Sequence, residues 1–184
     1  MLISKFEGTN IEKIVQLEMG YGVELPSQYK NFLLKYNGGL TPETRFKSNK
    51  VSSNVRAFYG LGDVDFSLNS LDLQALISLD LFPVACDSFG NYVVLGIHGD
   101  VEGNVFFLDH EIGKVQRIAD DLKSFVKLCK SKRISPDVRM SIEEREADLI
   151  SRGRGHVITD GLRKMWQQEI DMYGNIVQER VVIE

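Results

Sequence analysis

The residues that could do chemistry in this 184-residue chain are few: three histidines, two cysteines and a large set of carboxylates. Catalysis needs convergence, since a nucleophile needs a base within reach and the base needs an orienting group. His98, Asp109, His110 and Glu111 could offer imidazole and carboxylate ligands to a metal ion. Adjacent strand residues point to opposite faces, however, so Asp109 and His110 would converge only across a bulge. No spaced His or Cys pair of the zinc type is present. The expected role of this stretch is a polar turn, and no metal or other cofactor is expected. Gly60-Leu61-Gly62 lacks the third glycine of a dinucleotide loop, and neither a Gly-x-Ser-x-Gly elbow nor a Walker-type phosphate loop occurs. No catalytic residues are expected.

Cys86 and Cys129 sit among apolar neighbours and are expected as buried free thiols. Met1 to Asn10 lacks the apolar run of a signal peptide. No stretch approaches the 18 apolar residues of a membrane-spanning helix. These features predict a cytoplasmic protein without a membrane partner. Arg152-Gly153-Arg154-Gly155 before His156 reads as a solvated connector, and Trp166 as a packing anchor.

The acids carry the strongest signal. The net charge of −4 conceals segregation, because residues 60–121 hold eleven acidic residues against only Lys114 and Arg117. A field of that sign repels phosphate backbones and attracts cationic surfaces. No direct nucleic-acid binding is therefore expected through this segment. Asp63, Asp65, Asp87, Asp100, Glu102, Asp109 and Glu111 all fall in predicted turns or at strand ends, where function concentrates. Together they form the candidate partner-binding acidic face.

Several elements must position them. Thr9 to Met19 predicts a helix with a Thr9/Glu12 capping box and Gly20 just past its end. The Tyr29, Phe32, Leu33, Tyr36 spacing after Pro26 predicts a second helix, ended by Asn37-Gly38-Gly39. Val55 to Leu61 is a strand candidate. Asn69 to Leu79 predicts a helix burying Leu71, Ala75, Leu76 and Leu79. Leu81–Cys86, Tyr92–Ile97, Val105–Leu108 and Lys114–Ile118 read as four short strands joined by turns, which favours antiparallel neighbours. Ala119 to Lys130 is helical, with Asp120 and Asp121 in its first turn. Beyond a linker, Ser141 opens a capping box and Asp160 to Gln168 forms another helix. Met172-Tyr173-Gly174-Asn175 resembles a hairpin tip, with Ile176 to Ile183 returning.

Three of these segments carry a resemblance. Leu25-Pro26-Ser27-Gln28-Tyr29-Lys30-Asn31-Phe32-Leu33 through Asn37-Gly38-Gly39 is similar to the opening helix of the SUKH superfamily, the Smi/Knr-like group. Phe82-Pro83-Val84-Ala85-Cys86-Asp87-Ser88-Phe89-Gly90-Asn91-Tyr92-Val93-Val94-Leu95 resembles its central hairpin. Gly103-Asn104-Val105-Phe106-Phe107-Leu108-Asp109-His110-Glu111 resembles its next strand. The likeness covers roughly residues 9–130. It implies one α+β domain, a twisted antiparallel sheet of about 4–6 strands flanked by helices, with a C-terminal helix and hairpin extension. The corresponding boundaries are 1–130 for the SUKH-like domain and 131–184 for the extension, packed on the same domain. It also implies no active site: Gly90 and Asn91 fit a tight turn needing positive φ, and Pro26 and Asn37-Gly38-Gly39 delimit a helix. Many bacterial members are immunity proteins, antitoxins that neutralise a cognate toxin in the producing cell. The expected partner is thus a cognate toxin with a basic nuclease-like or deaminase-like domain. The alternative is a regulatory or scaffold interaction module with no toxin partner. The oligomeric state is left open.

Overall fold

In the computed structural model, which describes residues 1–184, the Tyr29, Phe32, Leu33, Tyr36 repeat is the inner face of a helix, α2 (Ser27–Tyr36), and all four side chains are buried. Tyr29 stacks 6.1 Å from Phe32, and Phe32 lies 5.0 Å from Phe58, centroid to centroid. Each fully buried aromatic ring contributes about 2–3 kcal/mol of hydrophobic stabilisation. Before it runs α1 (Ile11–Tyr21), capped by Asn10, whose side chain accepts from the Lys13 N–H. The cap is therefore one residue beyond Thr9; Asn is the stronger N-cap. Gly22, at φ 65°, closes the helix in place of Gly20.

The contact pattern divides the chain into two units, Met1–Lys132 with Gln178–Glu184, and Arg133–Val177. The first is built on nine strands: β1 (Leu2–Lys5), β2 (Gly39–Lys47), β3 (Ser52–Phe58), β4 (Leu81–Cys86), β5 (Tyr92–Gly96), β6 (Val105–Asp109), β7 (Lys114–Ala119), β8 (Lys130–Ser131) and β9 (Glu179–Arg180). They form one sheet in the order β7-β6-β5-β4-β3-β2-β1-β9, with β8 also on β2. Every named pair is antiparallel. The α+β class expected from sequence holds, and the four-strand meander stands where predicted.

The sheet has more strands than expected, and each addition has a reason for being hidden. Pro42 falls within β2, where proline argues against a strand. The register with β3 shifts between Leu40 and Thr44, and that irregularity accommodates the ring. β8 and β9 are two residues long and carry no period. The expected hairpin tip at 172–175 is instead the end of a helix, α6 (Asp160–Tyr173). β9 takes β1 as its partner, pairing Leu2 with Arg180 and Ile3 with Glu179. Val181 and Ile183 are buried in the first unit's core.

Two other helices are shorter than predicted. The 69–79 stretch is a 3₁₀ turn (Leu68–Ser70) followed by α3 (Leu73–Ile77). Leu68 and Leu73 are buried, whereas Leu79 is 61% exposed. Asp72 caps α3 by accepting from the Ala75 N–H, which starts the helix at Leu73 rather than at the expected Asn69, and Ala75, expected buried, is exposed. The last helix of this unit, α4 (Leu122–Leu128), begins after its cap Asp121. Phe125 of α4 lies edge-on to Phe46 of β2 at 5.3 Å, sealing the helical side of the sheet. On the opposite side Leu81, Val94 and Leu108 form a small cluster with Leu76 of α3.

The second unit holds α5 (Ile142–Ser151) and α6. Both halves of the predicted capping box form: Ser141 accepts from the Glu144 N–H, and the Glu144 carboxylate accepts from the Ser141 N–H. Gly153, at φ 70°, follows the end of α5. Arg145 is 6% exposed and holds the two helices together. Its Nε donates to the Asp137 carbonyl at 2.9 Å, Nη1 to Glu169 at 2.9 Å, and its guanidinium lies 5.7 Å from the Trp166 ring centre.

Candidate functional site

The seven candidate acids are placed by two loop devices at one end of the meander and two turns at the other. At the first end, Asn37 adopts the left-handed conformation, φ 49°. Its Nδ2 donates to the carbonyls of Glu7 and Leu61, and its Oδ1 accepts from the Leu61 N–H at 2.8 Å. A Cβ on Gly60 would meet the Asn37 carbonyl oxygen at 2.1 Å, so only glycine permits this approach. The loop after β3 is thereby fixed, and it presents Asp63 and Asp65 to solvent.

The β5–β6 loop is fixed similarly. Gly96 N–H donates to the Asn104 carbonyl and Gly103 N–H to the Gly96 carbonyl, both at 2.9 Å. A Cβ on Gly96 would meet the Val101 carbonyl oxygen at 2.1 Å. Asn104 Nδ2 also donates to the Asp100 carbonyl. Asp100 and Glu102 stand exposed on this loop. None of Asp63, Asp65, Asp100 and Glu102 enters an ion pair.

Asp87, Asp109 and Glu111 belong to the opposite end. The antiparallel registers put the 87–91 and 109–113 turns together, one strand length, about 17 Å, from the β5–β6 loop. Asn91 Oδ1 accepts from both the backbone N–H and the ring of His110, joining the two turns. Asp109 Oδ1 accepts from the Glu111 and Ile112 N–H groups, while Glu111 is exposed. Asp87 is a correction to the predicted face. It is 2% exposed, and its carboxylate accepts from the N–H groups of Phe89 and Asn91, the Asn91 side chain and the Ser53 hydroxyl. It builds the turn and presents nothing to a partner. Gly90 takes the expected positive φ, 89°; Asn91 does not.

One continuous acidic face is thus replaced by an acidic end with four free carboxylates and a second, smaller group across the sheet. The same registers separate His98 from Asp109, His110 and Glu111, so that quartet does not converge on one ion. Both thiols are buried. Burial pushes the Cys129 thiol up to about 12 and also raises Cys86, whose thiol contacts Tyr59, so neither ionises at neutral pH.

The structure adds residues that linear reading missed. Glu18, Met19, Gly22, Val23 and Glu24 around the end of α1 line an open cleft of about 480 Å³ with Ile97, His98 and Glu102. Lys30 neutralises Glu18 and Glu24 at 3.3 and 3.5 Å, and Glu18 also accepts from the Leu25 N–H. Glu102 is the wall carboxylate left without a cation. No periodic signal marks this cleft, because its walls lie some eighty residues apart in the chain.

Comparisons with known proteins agree with the geometry. The SPbeta prophage-derived uncharacterized protein YokK of Bacillus subtilis (strain 168) is 28% identical, the match covering 62% of this chain and 71% of the relative. The family model described as SMI1-KNR4 cell-wall (SUKH_6) matches residues 11–126, from the first turn of α1 into α4. The helix, hairpin and strand motifs all lie inside that span, and this chain belongs to the SMI1-KNR4 cell-wall (SUKH_6) family.

Proposed function

We propose that this protein is a non-enzymatic, cytoplasmic immunity protein that binds and neutralises a cognate toxin domain with a basic, nuclease-like or deaminase-like surface. The observation that carries the reading is the acidic end: Asp63, Asp65, Asp100 and Glu102 are exposed, without ion pairs, on loops clamped by Asn37 and Gly96. Clamped loops lose little conformational entropy on binding, so more of the contact energy is retained as affinity. Unpaired surface carboxylates steer a cationic partner and raise its association rate more than its affinity. Family membership is consistent with a protein-binding role. Asp109 and Glu111 lie on the far side of the meander and would touch such a partner only at a second contact.

The test uses stopped-flow association, at two salt concentrations, with a basic nuclease-like or deaminase-like toxin domain sought among the neighbouring genes. Wild type is expected to associate quickly, slowing steeply with added salt. The triple reversal Asp63→Lys, Asp100→Lys, Glu102→Lys is expected to slow association at least tenfold, roughly, with a smaller change in dissociation. An unchanged association rate without salt dependence overturns the role of this end.

A further inference from the structure

The acids have a counterpart of opposite sign in the same unit. Residues 39–58 and 130–132 hold Arg45, Lys47, Lys50, Arg56, Lys130 and Lys132 against the single acid Glu43. Thr44, Phe46 and Val55 turn inward and are buried, so alternation sends Glu43, Arg45, Lys47 and Arg56 to the outer side of the sheet. The β2–β8 register then places Lys130 directly across from Arg45. Lys132 and Arg45 share Glu43, at 3.3 and 3.4 Å, and the side chains of Arg45 and Lys132 are 77% and 76% exposed. Arg56 lies 5.2 Å over the Phe66 ring at the rim. Lys47 and Lys50 carry no ion pair at all. Residues two apart on a strand are about 7 Å apart, so Glu43, Arg45 and Lys47 form a row on the outer face, with Lys130 beside Arg45.

We infer that the outer face of β2, β3 and β8 docks the acidic end of a second copy of this chain. The complement is present in the sequence itself: Asp63, Asp65, Asp100 and Glu102 are exposed, enter no ion pair and are opposite in sign to the surplus cations. Lys47, Lys50 and Arg45 gather around the β2–β3 turn, whereas Asp100 and Glu102 sit on the β5–β6 loop at the other end of the strands, so these charges cannot pair within one molecule. Nucleic acid is the less favoured occupant, because a chain of net charge −4 with free carboxylates at both ends of its meander repels a phosphate polymer. Two different patches meet in this contact, which makes it head-to-tail: it leaves a free acidic end on one copy and a free basic face on the other, so association continues past the dimer. The inference stands on the two surfaces alone and does not require a toxin partner.

Sedimentation of the full chain tests it. At about 20 mM salt, where screening is weak, the average mass is expected to rise above the monomer with concentration, and at about 500 mM it is expected to return to the monomer. Arg45→Glu with Lys130→Glu, and separately Asp100→Lys with Glu102→Lys, are each expected to weaken association by roughly tenfold or more. Mixing the two variants restores it, since the intact basic face of one meets the intact acidic end of the other. A wild-type chain that stays monomeric at low salt overturns the inference, as does a mixture that stays monomeric. Wild-type monomer that instead binds a single-stranded 20-mer oligonucleotide at the same salt assigns the face to polyanions and also overturns it. Either failure leaves the toxin-binding test above unaffected.

Discussion

Asp87 and Glu111 carry the same charge in neighbouring turns and do opposite things. Asp87 spends its buried carboxylate on four internal donors, and removing it leaves the Phe89 and Asn91 N–H groups, the Asn91 side chain and the Ser53 hydroxyl without that acceptor. Asp87→Ala should therefore lower unfolding free energy by about 3 kcal/mol in a urea titration, while Glu111→Ala should stay within about 0.5 kcal/mol. Asp121 gives a pH signature. Its carboxylate accepts from Ser124 and Gln28, and the Ser124 hydrogen bonds hold it below the usual carboxylate range. A depressed folded-state pKa stabilises the fold above the unfolded value and loses that contribution as pH falls through the folded one. Asp121→Ala should thus cost about 1 kcal/mol at pH 7, shrinking below about pH 4. Equal destabilisation at pH 7 and pH 3 would contradict the assignment.

At the scale of elements, what could be read from sequence is what local periodicity encodes. α2 was legible because Tyr29, Phe32, Leu33 and Tyr36 repeat with the helical period, and the β4–β7 meander because β-branched runs alternate with turn residues. Strands defined by their partners were not legible. β9 is a strand only because β1 offers it an edge, and β8 only because the outer half of β2 is free. The split of the acids was hidden for the same reason: charge was counted along the chain, while register decides which turns share an end. The closing segment is held by burial of Val181 and Ile183 and by the Val182 N–H donating to the Tyr36 hydroxyl at 2.9 Å. Ile183→Ala should therefore cost about 2–4 kcal/mol in a denaturant titration, and hydrogen exchange should quicken at β1. A change under 0.5 kcal/mol, roughly, would show that β9 is dispensable.

At the scale of the whole molecule, the chain places charge of one sign on clamped loops and the other sign on a sheet face. Under the proposed binding role, such a molecule acts in proportion to its amount. An inhibitor that works by occupancy is consumed one for one by its target when the complex is tight, whereas an enzyme acts far below equivalence. The deciding measurement is the residual activity of the cognate toxin domain, at a concentration well above the dissociation constant, titrated with this protein. The account predicts a linear fall that ends at one equivalent. Full inactivation by a small fraction of an equivalent, or no loss of activity at several equivalents, would contradict it.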